Sequence, residues 1–278
     1  MRCAWDQLLK VLPPRFRREV DSLGRDTMQE LRLRKGSPPQ LVTAQGSHWL
    51  RERVTDEDLS FCVQTASRYS PWNAATIRQG YLTAPGGHRI GLCGQTVMKE
   101  GRMEGIRQPT SLCIRVARDF DGIAAGLQDI SGSVLILGPP GWGKTTLLRA
   151  LIRTLSDRGQ TIAVVDERME LFPPGSGFEP GRSTDILTGC PKSQGIPAVL
   201  RTMGPSAIAV DEITAEEDTQ ALLTAAYCGV RLLATAHGST LDDVRHRPVY
   251  RPLAEQGIFT NYVIMNRDKS WHMERMNL

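Results

Sequence analysis

Gly138-Pro139-Pro140-Gly141-Trp142-Gly143-Lys144-Thr145 decides how the rest of this chain is read. Every fixed position of the pattern G-x-x-x-x-G-K-[ST] is filled. The flanks agree. Val134-Leu135-Ile136-Leu137 precedes the loop as a short apolar strand, and Thr145–Leu155 follows as a helix with Leu147, Leu148, Leu151, Ile152 and Leu155 on one broad face. Glycines let the backbone curl until successive N–H groups point inward at phosphate oxygens. The helix start adds partial positive charge. Gly138, Pro139, Pro140, Gly141, Trp142, Gly143, Lys144 and Thr145 are therefore the expected nucleotide cradle. Thr146 joins it as a second hydroxyl whose competing use is packing. Lys144 is expected on the outer phosphates, and the Thr145 hydroxyl on Mg²⁺.

Outward from the loop, strands and helices alternate. Thr161–Val165, Ala207–Val210 and Arg231–Thr235 read as strands; Ile196–Met203 and Glu216–Cys228 read as helices; Phe172–Gly181 is a loop rich in glycine and proline. Such alternation predicts an α/β fold, a mostly parallel sheet covered on both faces. Ligands of open α/β sheets sit at the carboxyl ends of the strands, so the residues there carry the chemistry. Asp211 and Glu212 follow one strand, Asp211 as a magnesium ligand and Glu212 as the base that polarises water. Asp166 and Glu167 end another, expected beside the phosphate-loop strand, with Asp166 a further metal ligand and Glu167 a rival base. The fourth strand ends in Thr235-Ala236-His237-Gly238, where His237 can touch the terminal phosphate.

The first ~125 residues have a different texture. Residues 1–35 read as amphipathic helix rich in arginine, ending in Leu31-Arg32-Leu33-Arg34-Lys35 before Gly36-Ser37-Pro38-Pro39. A second helix is expected over Asp56–Tyr69. Between Gly80 and Arg118, glycines divide short alternating segments into hairpins: Tyr81–Ala84, His88–Cys93, Gln95–Lys99 and Ser111–Val116. A smaller α+β domain over 1–125 and a nucleotide-binding domain over 126–278 follow, which suits 278 residues at roughly 150 per domain.

Composition narrows the class. With 40% hydrophobic, 23% charged and 6% aromatic residues the chain is neither collagen-like, disordered nor coiled coil. Six cysteines without a CxxC pair predict free thiols in a reducing cytoplasm and no metal cluster. No apolar stretch reaches a membrane span, and Met1–Asp6 lacks the apolar run of a signal peptide. A net charge of +4 and sparse aromatics argue against nucleic acid as the partner.

Gly138–Thr145, Val165-Asp166-Glu167-Arg168, Arg182-Ser183-Thr184-Asp185, Cys190-Pro191-Lys192, Val210-Asp211-Glu212-Ile213 and Thr235-Ala236-His237-Gly238 together resemble the stage III sporulation protein AA family. Gly86-Gly87-His88-Arg89-Ile90-Gly91-Leu92-Cys93-Gly94 and Ile114-Arg115-Val116-Ala117-Arg118 match the same family, so the likeness runs from about Leu31 to Asn261. That family is similar to ATPases of type II and type IV secretion and of pilus motors. The resemblance implies a RecA-like P-loop NTPase core, ATP and Mg²⁺ as ligands, a homohexameric ring, and membrane-protein partners. It also implies a place at the cytoplasmic face of the membrane, on the mother-cell side of the channel to the forespore. By the same likeness Asp166 and Glu170 fall on an acidic box, Glu212 on the second Walker element and His237 on a histidine box. Arg89 and Arg115 fall where arginines of the amino-terminal domain reach the terminal phosphate, with Arg182 and Arg201 as further candidates. Trp142 is bulkier than such loops usually carry, and Phe172–Phe178 has no assigned role. The implied activity is a motor ATPase energising a transport channel. A nucleic-acid-binding ATPase, kept open by Arg15–Arg18 and Arg32–Lys35, and a nucleotide-gated scaffold with little turnover are the alternatives.

Overall fold

Alternation of burial builds the amino-terminal sheet. In β1 (Met28–Arg34) Leu31 and Leu33 are buried while Arg32 and Arg34 are not. The Leu-Arg-Leu-Arg run therefore has the period of a strand, and the expected helix over residues 1–35 is corrected: α1 (Trp5–Val11) and α2 (Pro14–Gly24) end before it. A computed structural model describes residues 1–67, 77 and 80–275. Helix α3 covers Asp56–Ser67; the last two residues of the expected helix, 68 and 69, lie outside the described residues.

β1 pairs with β2 (Gln40–Thr43) and β6 (Arg102–Arg115); β3 (Gly46–Trp49), β5 (Arg89–Lys99) and β4 (Tyr81–Thr83) complete the order β3-β2-β1-β6-β5-β4, antiparallel throughout. The segments His88–Cys93 and Gln95–Lys99, read as separate, form one strand. The register shifts at Cys93/Gly94 and again within Gln95–Met98, so bulges rather than a turn absorb the glycine. One sheet face is apolar, with Leu31, Leu33, Leu41, Leu82, Ile90, Leu112 and Ile114 packed against Trp5, Leu8, Phe16, Val20 and Leu59 of the helices.

The chain clusters into two units. One is Arg2–Arg118 with Pro173–Gly177; the other is Met1, Asp119–Phe172 and Phe178–Leu278. The second holds β7 (Val134–Leu137), β8 (Ile162–Asp166), β9 (Thr184–Thr188), β10 (Ala207–Val210), β11 (Arg231–Ala236), β12 (Asn261–Met265) and β13 (Trp271–Arg275) in the order β13-β12-β7-β11-β10-β8-β9. All pairings are parallel except β12 with β13. β7, β8, β10 and β12 are buried at every position, the mark of strands covered on two faces. One cover comprises α5 (Lys192–Met203) and α6 (Glu216–Tyr227), with Val244 of α7 (Leu241–His246) and Leu253 of α8 (Arg251–Glu255). The other is α4 (Lys144–Asp157), which packs on β7, β9 and β11 and whose leucine stripe is absent from that cluster. β8 was expected beside the phosphate-loop strand. It lies instead beyond β11 and β10, against β10 and β9. Among the described residues no helix is long and apolar enough to cross a membrane.

Candidate functional site

The loop between β7 and α4 has the conformation its glycines predict. Gly141 and Gly143 hold φ of +79° and +101°, where a side chain is strained. No side chain caps α4, which leaves its first N–H groups directed into the loop. Gly138 is needed for space: a Cβ there would lie 2.9 Å from that of Met265. Lys144 is buried, and its Nζ donates to the carbonyls of Gly138 (2.8 Å) and Pro139 (3.1 Å). Burial pushes its ammonium below the ordinary lysine range, against the pull of Asp211 and Glu212. Trp142 is half-buried, Pro140 is exposed, and Thr146 is half-buried on α4.

Strand order brings the acidic ends together. β10 delivers Asp211, whose Oδ2 accepts from the Thr145 hydroxyl at 2.8 Å and Oδ1 from the Thr235 hydroxyl at 2.6 Å. A hydroxyl and a carboxylate, both hard oxygen donors, suit Mg²⁺. Among the described residues no group of three or more His, Cys, Asp or Glu is arranged to hold a metal. A magnesium ion at Thr145 and Asp211 would therefore need phosphate and water for its remaining positions. Thr235 opens the Thr235–Gly238 stretch, yet the sequence does not single it out as a site residue. It is fully buried, and its hydroxyl also accepts the Glu212 N–H at 2.8 Å. Its signal was its place at the end of β11, two residues before His237.

Glu212 turns off the strand with φ of +39°, rare for a residue with a Cβ. Its Oε1 lies 2.7 Å from His237 Nε2, and His237 Nδ1 lies 3.3 Å from Lys144 Nζ. An ammonium has only protons to give, so Nδ1 accepts and Nε2–H donates to Glu212. Lys144, His237 and Glu212 thus form one hydrogen-bonded line. Arg168 Nη1 stands 3.5 Å from the second oxygen of Glu212. Tyr250 steadies His237 by accepting its N–H at 3.2 Å, and Arg247 donates to its carbonyl at 3.0 Å.

The other acidic end is differently used. Glu167 pairs with buried Lys192 at 2.6 Å. Asp166 is buried, and its carboxylate accepts the N–H groups of Glu170 (2.8 Å), Leu171 (3.0 Å) and Phe172 (2.9 Å). Burial, with Asp211 nearby, pushes Asp166 up to about 6, although those N–H groups pull the other way. Arg89 and Arg115 belong to the amino-terminal unit, as register partners on β5 and β6. The Arg89 guanidinium lies over the Tyr81 ring, 4.1 Å from its centroid, and Arg115 faces Glu30 at 3.4 Å. Both line a hollow of about 180 Å³ with Tyr81, Gly91 and Cys113. Arg182, in the loop before β9, and Arg201, in the last turn of α5, are both exposed.

Residues 4–273 match the family described as Sporulation stage III, protein AA. The chain belongs to that family. Stage III sporulation protein AA of Bacillus subtilis (strain 168) is 34% identical over 282 residues, covering 95% of this chain and 92% of that one. Two solved structures share the fold. The ATPase DotB of Legionella pneumophila superposes with a TM-score of 0.59 at 17% identity, over 94% of this chain and 78% of that one. The pilus retraction motor PilT, crystallised with ADP, gives 0.60 at 16% identity, over 94% and 82%. This chain thus has the α/β fold of those two proteins, with a mixed sheet.

Proposed function

We propose that this protein is an ATP hydrolase, a secretion-type motor with a RecA-like P-loop core. The observation that carries this is the line Lys144–His237–Glu212 beside the Thr145–Asp211 pair, all at the carboxyl ends of β7, β10 and β11. Each carbonyl that Lys144 now contacts is a weaker partner than a phosphate oxygen, so ATP draws Nζ onto its outer phosphates. Thr145 and Asp211 would hold Mg²⁺, which neutralises phosphate charge when bound. Glu212 accepts a proton as water forms a bond to the terminal phosphorus and the bridging oxygen leaves with ADP. Glu212 is the better-placed base: it ends the line that reaches Lys144 and meets its one cation at 3.5 Å, whereas Glu167 is held at 2.6 Å by buried Lys192.

Asp166 holds the turn after β8 and so sets Arg168 and Glu167 in place, a positioning role rather than a metal-binding one. Arg89 and Arg115 are proposed, from the family resemblance, as cations for the developing phosphate charge. The same resemblance supports a homohexameric ring at the cytoplasmic face of the membrane, recruited by membrane proteins of the channel between mother cell and forespore. Phosphate release from Mg²⁺ and ATP, measured over a protein-concentration series, tests the proposal. Specific activity should rise with concentration as rings form and vanish in Lys144→Ala. Release that persists in Lys144→Ala would end it.

A further inference from the structure

Glu212 is engaged on both oxygens: Oε1 by His237 Nε2 at 2.7 Å, and Oε2 by Arg168 Nη1 at 3.5 Å. A lone pair turned to a guanidinium is not turned to water. The two partners differ. His237 belongs to the line that reaches Lys144, whereas Arg168, its side chain 40% exposed, has Glu212 as its one ion-pair partner among the described residues.

The fold nevertheless fixes Arg168 opposite the base. The Asp166 carboxylate gathers three N–H groups of the turn that carries it, and Met169 completes that turn with φ of +54°. Next to it, Glu167 is bound to Lys192, which also approaches Asp218 at 3.6 Å. Asp218 in turn accepts the N–H groups of Thr214 (3.1 Å) and Ala215 (3.3 Å), two and three residues beyond Glu212. Buried Lys192 thus cross-links the turn bearing Arg168 to the loop bearing Glu212.

We propose that Arg168 is a positioning residue that competes with water for Glu212 Oε2 and so holds hydrolysis back. The proposal rests on Glu212 being the base. An exposed ion pair of this kind is a weak restraint, and its loss frees the base by about fivefold at most, equivalent to ~1 kcal/mol. It is also screened by salt, because both groups are partly solvated.

The test uses the full chain as wild type, Arg168→Ala and Arg168→Lys, with kcat and KM for ATP measured at two ionic strengths, about 0.05 M and 0.5 M. In Arg168→Ala kcat should rise about three- to fivefold with KM within twofold of wild type. Arg168→Lys, which keeps the charge on a shorter reach, should fall between. Salt should raise wild-type kcat toward that of Arg168→Ala and leave the variant unchanged. A variant that hydrolyses no faster than wild type, or a salt response shared by both, overturns the role of Arg168 while leaving the hydrolase intact. A fall in Arg168→Ala that Arg168→Lys restores also overturns it, by placing the positive charge on the phosphate. No phosphate release by any of the three proteins overturns the hydrolase and this role together.

Discussion

Thr235→Val removes one oxygen and leaves the shape of a fully buried side chain almost unchanged. That oxygen donates to Asp211 Oδ1 at 2.6 Å and accepts the Glu212 N–H at 2.8 Å. A hydrogen bond to a charged group contributes roughly 1.5–3 kcal/mol and a neutral one roughly 0.5–1.5 kcal/mol. Asp211 keeps its bond from Thr145 and Glu212 N–H keeps a 3.1 Å contact to Asp211, so the loss should be about 2–4 kcal/mol. For a unit of this size that lowers Tm by roughly 4–16 °C. Thr235→Ser keeps the hydroxyl and loses a buried methyl, which costs only about 1 kcal/mol. Calorimetric melting of the three proteins, with kcat on the folded fractions, checks this. Valine should be the less stable variant and the slower enzyme, because Glu212 loses the anchor that holds its bent backbone. If Thr235→Ser proves as damaging as Thr235→Val, packing rather than the hydroxyl is what the site needs.

Two further outcomes follow from single residues. Burial holds Asp166 at about 6, above the ordinary 3.8. A raised carboxyl favours the folded state most below its unfolded value, and that advantage is lost as pH rises through about 6, on the order of 3 kcal/mol in all. The stability of wild type relative to Asp166→Asn should therefore fall between pH 4 and pH 7, followed by urea unfolding at each pH; a flat difference refutes the assignment. Gly143→Ala puts a side chain at φ of +101°, a conformation costing about 1–3 kcal/mol. The loop must shift to relieve it, so ADP affinity measured by titration calorimetry should drop about tenfold or more, and an unchanged affinity would show the loop is not the cradle.

The strand, the glycine loop of eight consecutive residues and the helix after it were legible because their signals are local: an apolar run, glycines at turning points and an apolar helix face. Ala207–Val210 and the acids that follow it were legible for the same reason. Strand order was not. Nothing in Thr161–Val165 says that β10 and β11 come between it and β7, yet that order sets Arg168 against Glu212. β9 escaped because Thr184–Thr188 is a half-exposed edge strand with no apolar run. Asn261–Met265 did carry such a run, Tyr262–Met265, but it stood beyond the last recognised motif. The amino-terminal strand was lost to a wrong period: Leu31 and Leu33 are two apart, while arginine density suggested a helix face. Contacts such as Lys192 with Glu167 join residues 25 apart and follow from burial, which a linear pattern does not display.

Glu212→Gln tests the central claim most directly. The amide keeps the size of the side chain and gives up the capacity to take a proton. Labelled ATP incubated with this variant and Mg²⁺, then recovered from the protein, should come back as ATP bound nearly as tightly as by wild type, with turnover reduced by about a hundredfold or more. Recovery of ADP at the wild-type rate would contradict the account and remove Glu212 from the chemistry.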